Sequence, residues 1–187
     1  KSASELKKRY KGIDIKFTFV DAGSSKKDLE NFKLIDKNNE FNTSFKNVDI
    51  LNANKISNTI NKNKKEIENN MATTMASIRD SFYIAKKCND LIYFVEDDYI
   101  HFETMLEEMV ATYERVSSQI GKDIFMCPSD YPFLYMNNEK TNILLGDKRH
   151  WRTINKTLCT FLTSKKLLDL YWQNFLKNCE DRHDPFE

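Results

Sequence analysis

The residues of this chain best suited to chemistry are Glu96, Asp97 and Asp98. These consecutive carboxylates follow directly on the apolar run Leu91-Ile92-Tyr93-Phe94-Val95. An apolar run of that length suits a strand buried on both faces of a sheet. Adjacent acids repel one another, so a fold accommodates them at a sheet edge, where water or a cation neutralises them. In open α/β sheets the carboxyl end of a strand is also where ligands bind. The run therefore reads as a hard-cation and phosphate-ligand site, with a solvated acidic turn as the competing reading. Oxygen ligands suit Mg2+ or Mn2+, and nothing in the segment favours zinc. Asp98, last in the triplet and projecting furthest beyond the strand, is the candidate metal ligand.

A second strand end carries Asp21, after Ile13–Val20 and before the small-residue loop Ala22-Gly23-Ser24-Ser25. If the two strands are parallel neighbours, the acids converge on one crevice fit for a nucleotide. One carboxylate accepts ribose hydroxyls or a base N–H, and a cation held by another bridges the diphosphate. Arg79, in the helix ahead of the acidic strand, is a candidate for the phosphates, with a plain surface position as the alternative. His150-Trp151-Arg152 offers an indole face for sugar stacking and a guanidinium for phosphate, against core packing for Trp151. Asp130 could contact an acceptor hydroxyl, although Ser129-Asp130-Tyr131-Pro132 is also ordinary turn chemistry. Tyr99 and His101 either shape the acceptor side or simply lead into the next helix.

The elements expected to position these groups alternate between strand and helix. Ser2–Tyr10 reads as a helix capped by Ser4, with Gly12 near its end, and Lys26–Ile35 as another. Residues 36–65 are polar and weakly periodic, with a short strand at Val48–Leu51. Glu66–Lys87 repeats Met71, Met75, Ile78, Phe82 and Ala85 at helical steps, and Phe102–Ile120 repeats Phe102, Met105, Met109, Tyr113 and Val116 until Gly121 closes it. Asp123–Pro128, Asn142–Leu145 and Trp151–Leu162 read as strands, and Ser164–Leu176 as a helix before a charged tail. Strands alternating with helices indicate a layered α/β domain.

A chain of 187 residues with 40% hydrophobic and 30% charged residues suits one domain with a sizeable core. A net charge of +1 leaves no excess of Lys and Arg to neutralise phosphate backbones, so nucleic acid is not an expected partner. Cys88, Cys127, Cys159 and Cys179 form no CxxC pair and read as buried free thiols in a reducing compartment. No run approaches a membrane span, and no secretory signal is visible. The chain opens on Lys1 and stops at Asp184-Pro185-Phe186-Glu187, which suggests an excerpt with an anchoring segment outside it.

The order strand, Asp21-Ala22-Gly23-Ser24-Ser25, helix, Arg79 in a second helix, buried strand, Glu96-Asp97-Asp98 resembles the GT-A nucleotide-sugar glycosyltransferases, family-2-like members above all. Their acidic DxD signature is matched here by the EDD form. The helix carrying Asn70, Met71, Ala72 and Arg79 is similar to the segment that lines their donor site. The resemblance spans most of the chain, although only the EDD strand and the Asp21 turn are specific. It departs from the family at Met71 and Ala72, where glycine is common, in the first strand missing before Ser2, and in an unclean base motif.

The resemblance implies a Rossmann-like three-layer sandwich with a central, mostly parallel sheet flanked by helices. Residues 1–187 would form a single GT-A-type domain, incomplete at both ends. It implies transfer of a sugar from a nucleoside diphosphate donor, a UDP-sugar for preference, to a hydroxyl of a glycan or lipid-linked saccharide. The transfer would be inverting and assisted by Mn2+ or Mg2+. Asp21 would hold the base, Arg79 the phosphates, Glu96 and Asp97 the ribose and metal waters, and Asp98 the cation. Inversion needs a carboxylate to deprotonate the acceptor; Asp181 and Asp184 are its candidates, with Glu187 third, and His183 is a late metal ligand. A solvated charged run is the rival account of Glu180–Asp184. The expected setting is cytoplasmic, at the inner face of the membrane through parts outside this chain, in polysaccharide biosynthesis.

Two other classes compete. A phospho-acceptor receiver domain also opens with a buried strand running into paired acids, but it leaves the preceding organised sequence and the Asp21 strand unexplained. A catalytically silent nucleotide-sugar-binding module would share every donor-side residue.

Overall fold

The computed structural model describes residues 1–35, 41–48, 69–136, 139–157 and 159–180. In chain order its elements are α1 (Ser2–Arg9), β1 (Lys16–Asp21), α2 (Lys26–Ile35), β2 (Asn42–Asn47), α3 (Asn69–Ala85), β3 (Leu91–Phe94) and α4 (Met105–Ile120). A 3-10 turn (Pro132–Tyr135), β4 (Ile143–Leu145), β5 (His150–Arg152), β6 (Phe161–Ser164), α5 (Lys165–Leu170) and α6 (Trp172–Glu180) follow. The described residues divide into two compact units: Lys1–Gly12 with Cys88–Tyr171, and those of Ile13–Lys87 with Trp172–Glu180.

In the unit that begins at Ile13, β1 and β2 pair in parallel, Lys16 opposite Asn42 through Asp21 opposite Asn47. Parallel strands need a crossover, and α2 lies within it. Phe19 stacks on Phe45 with ring centroids 5.0 Å apart and meets Phe32 of α2 at 5.5 Å. On α3, Ala76 packs with Val48 and Val20. Further along α3, Phe82 meets Phe175 of α6 edge-on at 4.9 Å. The Asn42–Asn47 strand is absent from the sequence reading, because Asn-Thr-Ser-Phe-Lys-Asn has neither alternation nor an apolar run. The expected strand at Val48–Leu51 lies beyond the described residues after Val48.

The other unit is built on β6, whose residues are all buried. β3 lies antiparallel to it, Leu91 opposite Ser164 and Phe94 opposite Phe161. On the far side of β6, Met126 and Leu162 exchange backbone hydrogen bonds of 2.9 and 2.7 Å. The expected strand at Asp123–Pro128 is thus a single bridge, and it is β6, not β3, that other chain covers most closely. Trp151–Leu162 is not one strand but two, β5 and β6, and Ser164–Leu176 contains two helices that meet at Tyr171. Ser164 caps the first of them, accepting from the Leu167 N–H at 3.1 Å and donating to Asp123 Oδ2 at 3.0 Å. At the other end, α1 is not capped by Ser4; Ser2 Oγ instead accepts from the Leu106 N–H at 3.0 Å, joining α1 to α4.

Among the described residues the sheets are each two-stranded, and β1–β2 alone is parallel. The architecture is mixed α/β; the expected central, mostly parallel sheet reduces here to one parallel pair and two antiparallel ones. Parallel neighbours of β3, the condition for its acids to converge with Asp21, are not shown among the described residues, where it pairs antiparallel with β6. Apolar runs of four or five residues fill a buried antiparallel pair as readily as a parallel one.

The tightest packing lies where α4 receives the turn between β4 and β5. Glu108, 4% exposed, accepts hydrogen bonds from the backbone N–H groups of Asp147, Lys148 and Arg149 at 3.1, 2.7 and 3.3 Å. Thr112 Oγ1 and Trp151 Nε1 donate to the same carboxylate at 3.2 and 3.0 Å. Burial pushes the Glu108 carboxyl up, but these donors outweigh it and hold it below its ordinary value. A Cβ at Gly146 would lie 2.5 Å from Glu108 Oε1 and from Trp151 Cδ1, and 2.6 Å from Thr112 Oγ1. Gly146→Ala is therefore expected to destabilise the protein by about 1–3 kcal/mol, as overpacking does. Glu108→Ala, which strands buried donors, should cost about 3–5 kcal/mol. Urea unfolding followed by circular dichroism measures both.

Candidate functional site

The chain leaves β3 at Val95, which is 51% exposed, and Glu96, Asp97 and Asp98 follow as exposed residues. Glu96 differs from its two neighbours. Its backbone N–H donates to Thr160 Oγ1 at 3.2 Å, and that hydroxyl donates to Glu96 Oε2 at 3.2 Å. Thr160 is fully buried, and the pairing of Phe94 with Phe161 sets it beside the first acid. Although Glu96 is exposed as a residue, partial desolvation raises its carboxyl above the ordinary range; Thr160 opposes the shift, and the charges of Asp98 and Asp97 add to it. The neighbouring Cys159 thiol is pushed up to about 11, by burial first and by Glu96 second. It is a protonated thiol at neutral pH, which excludes it as a ready nucleophile.

Asp97 and Asp98 make no hydrogen bond or ion pair among the described residues. Several other acids of this unit are compensated, although the exposed Asp90 side chain, like theirs, has no hydrogen bond or ion pair among the described residues. Glu107 accepts from Arg9 at 2.8 Å and Lys148 at 3.0 Å, Asp147 takes two hydrogen bonds from Arg9, and Asp130 pairs with Arg152 at 2.9 Å. Carboxylate oxygens are the donor type that Mg2+ and Mn2+ take, but no group of three or more His, Cys, Asp or Glu among the described residues is arranged to hold a metal ion.

The loop bearing them is braced at three points. Tyr93 Oη lies 2.8 Å from His101 Nε2, and His101 Nδ1 lies 3.1 Å from the Tyr99 carbonyl. The carbonyl can only accept, so Nδ1 carries the proton and Nε2 accepts from Tyr93. Burial raises the Tyr93 hydroxyl well above its ordinary range, which keeps it a donor. Tyr99 and Tyr131 join through their hydroxyls, tying the acidic loop to the segment before the 3-10 turn. Beyond His101, the Arg149 guanidinium lies over the Phe102 ring, 5.0 Å from its centroid.

The remaining sequence candidates are dispersed. Asp21 and Arg79 belong to the other unit. Asp21 already accepts from the backbone N–H groups of Gly23 at 3.3 Å and Ser24 at 3.0 Å. The Ser24 side chain lowers its carboxyl most, against an opposing burial effect, and the two backbone donors lower it further. Gly23 takes a φ of 122°, a conformation that glycine adopts readily, so the small residue in this turn has a structural cause. Arg79 Nη2 lies 3.6 Å from Asp80 Oδ1, and Lys46 Nζ 3.4 Å from Oδ2 of the same carboxylate. Asp181, His183 and Asp184 lie outside the described residues, as does Glu187.

Trp151 is not a stacking surface. It packs against Met109, Tyr113, Met126 and Leu162, with its indole N–H spent on Glu108. Thr160, Tyr131 and Tyr135 are neighbours that sequence reasoning missed. Each acts through a contact with a residue far along the chain, and none sits in a recognisable motif. No protein-family model matches the chain, and no curated protein or solved structure matches it significantly.

Since folding raises the Glu96 carboxyl pKa, the folded chain binds this proton more tightly than the unfolded chain. Stability from this group therefore falls as pH rises from the ordinary value of 4.5 through the folded one. In metal-free buffer Glu96→Gln should melt at a higher temperature than the parent at pH 7, with the gap closing near pH 4. A calorimetric pH series checks it, and equal melting temperatures at both pH values would reject the assigned environment.

Proposed function

We propose that the chain is a metal-dependent glycosyltransferase domain of the GT-A kind, moving a sugar from a nucleoside diphosphate sugar to a saccharide hydroxyl. The observation that carries this reading is the pair of uncompensated carboxylates Asp97 and Asp98, projecting past β3 beside a pinned Glu96. A protein surface gains nothing in stability from adjacent bare acids, whereas a divalent cation and diphosphate need such a group of oxygens. The β1–β2 pair with its crossover helix is the part of the expected parallel sheet that supports the architecture.

In this proposal Asp98 is the direct metal ligand, Asp97 holds a metal-bound water, and Glu96 presents its remaining acceptor capacity to a ribose hydroxyl. Bound there, Mn2+ or Mg2+ would neutralise the charge that grows on the departing diphosphate. The assignments of Asp21 to the nucleobase and of Arg79 to the phosphates rest on the resemblance alone. The acceptor proton falls to Asp184 or Asp181, and His183 is assigned as a further metal ligand; these three assignments rest on the resemblance alone. Inverting stereochemistry, a UDP-sugar donor, a glycan or lipid-linked acceptor and a cytoplasmic setting at the membrane's inner face belong to the same proposal. None of the described helices is long and apolar enough to cross a membrane. The antiparallel surroundings of β6 weigh against a receiver domain, whose doubly wound sheet is parallel.

Thermal shift against UDP, GDP and CMP, with and without Mn2+, tests the reading. One nucleotide is expected to stabilise the protein only when the metal is present, by about 2.7 kcal/mol at one hundred times its dissociation constant. Asp98→Ala should remove that stabilisation and reduce sugar transfer at least about a hundredfold, while leaving the metal-free melting temperature unchanged or raised. Near-normal transfer by the variant would reject the metal role.

A further inference from the structure

We propose that Tyr135, Asp130 and Arg152 form a pyranose-binding subsite, a platform on which a saccharide ring stacks while its hydroxyls are held from one edge. Taken as the acceptor side of the proposed transferase, it rests on that reading; as a saccharide site it stands on its own geometry.

The three side chains come from different segments and lock one another. Arg152, on β5, places its guanidinium carbon 4.1 Å from the centroid of the Tyr135 ring, covering one face. Its Nη2 donates to Asp130 Oδ1 at 2.9 Å, and the Tyr135 hydroxyl donates to Asp130 Oδ2. The ring is thus held by its back face and by its hydroxyl edge. Tyr135 nevertheless remains 64% exposed, with the 79%-exposed Met136 beside it, so its second face is open to solvent. A rigid aromatic with one free face is suited to the C–H face of a pyranose, because little side-chain entropy is lost on binding.

Asp130 supplies the polar edge. Each carboxylate oxygen has about two acceptor directions, and each already uses one, so one remains on each. Two such acceptors on a single carboxylate match two neighbouring sugar hydroxyls. Burial works against the charged form, but Tyr135 and Arg152 outweigh it and keep this carboxyl below its ordinary value, so it accepts at any pH near neutrality. Arg152 adds a donor, since its Nη1 has no partner among the described residues. The Tyr99–Tyr131 contact connects this cluster to the acidic loop, Tyr131 being next to Asp130 in sequence and Tyr99 next to Asp98. A saccharide on Tyr135 would therefore lie on the segment fastened to the proposed donor site.

The test is saturation-transfer NMR with methyl glycosides of glucose, galactose, mannose and N-acetylglucosamine and their β-linked disaccharides. At least one should show transfer to its ring C–H protons. Tyr135→Ala should weaken that ligand about fivefold to tenfold, the factor that loss of an aromatic contact represents. Tyr135→Phe, which keeps the ring, should bind within about twofold of the parent, and Asp130→Asn should fall between them. Far-ultraviolet circular dichroism and the Mn2+–UDP thermal shift of Tyr135→Ala should match the parent. No transfer to any saccharide, or equal transfer to Tyr135→Ala, would overturn the subsite. Saccharide binding that depends on Tyr135 in a chain that neither binds a nucleotide with Mn2+ nor transfers sugar would retain the subsite and reject the transferase.

Discussion

One buried carboxylate organises the unit that carries the acidic loop. Glu108 sits on the inward face of α4 and takes three successive backbone N–H groups of the β4–β5 turn, a hydroxyl and an indole N–H. Successive amides converging on an anion make a nest, and here the anion is part of the protein. Burying a lone carboxylate costs several kcal/mol, so the arrangement is stable only while all the donors converge. That condition fixes the turn geometry and explains why nothing larger than glycine fits at position 146. It also settles where Arg149, Trp151 and Arg152 begin, since Arg149 bears the last of the held amides and the other two follow within three residues.

From that anchor, ties run outward. Arg9 of α1 grips Asp147 with two nitrogens and reaches Glu107 with one of them, so the same turn fastens α1 to α4. Arg115 donates to the Gly146 carbonyl at 2.9 Å. Arg149 lies over Phe102, and Arg152 pairs with Asp130. The acidic loop is braced independently by β3 and by the residue just before β6, through Tyr93 with His101 and Thr160 with Glu96. Its two ends are therefore fixed while Asp97 and Asp98 between them have no hydrogen bond or ion pair among the described residues, an arrangement that limits loop entropy without neutralising the charges.

How much of this could be read from the residues alone depended on the range of the interaction. The helices at 26–35, 69–85 and 105–120 follow from local periodicity, and Gly121 closes α4 in the left-handed conformation expected of it. The EDD strand end was equally legible, because charge following an apolar run is a local pattern. Strand partners were not: β3 and β6 are far apart in sequence, and an apolar tetrapeptide carries no sign of parallel or antiparallel pairing. Phe102 continues the apolar stripe of α4 by spacing, yet it lies outside the helix and is 69% exposed. Glu108 and Thr112 break the stripe by type, yet both are buried, because their donors lie in a turn that spacing along α4 cannot reveal. Thr160 escaped notice for the same reason.

The bare pair of acids bears on why such a site persists. Folded chains lose stability by holding like charges close, and Glu107, Glu108, Asp130 and Asp147 of this unit have arginine, lysine or amide partners. Lysine is abundant in the sequence, so a partner for Asp97 or Asp98 was chemically within easy reach. A loop braced at both ends offers no conformational escape from the repulsion, which adds to the burial that raises the Glu96 carboxyl. Stability alone would favour a neutral or paired residue at each position. Under the proposed function, two acids left unpaired among the described residues on a held loop are a cost retained for the cation that the donor diphosphate brings with it.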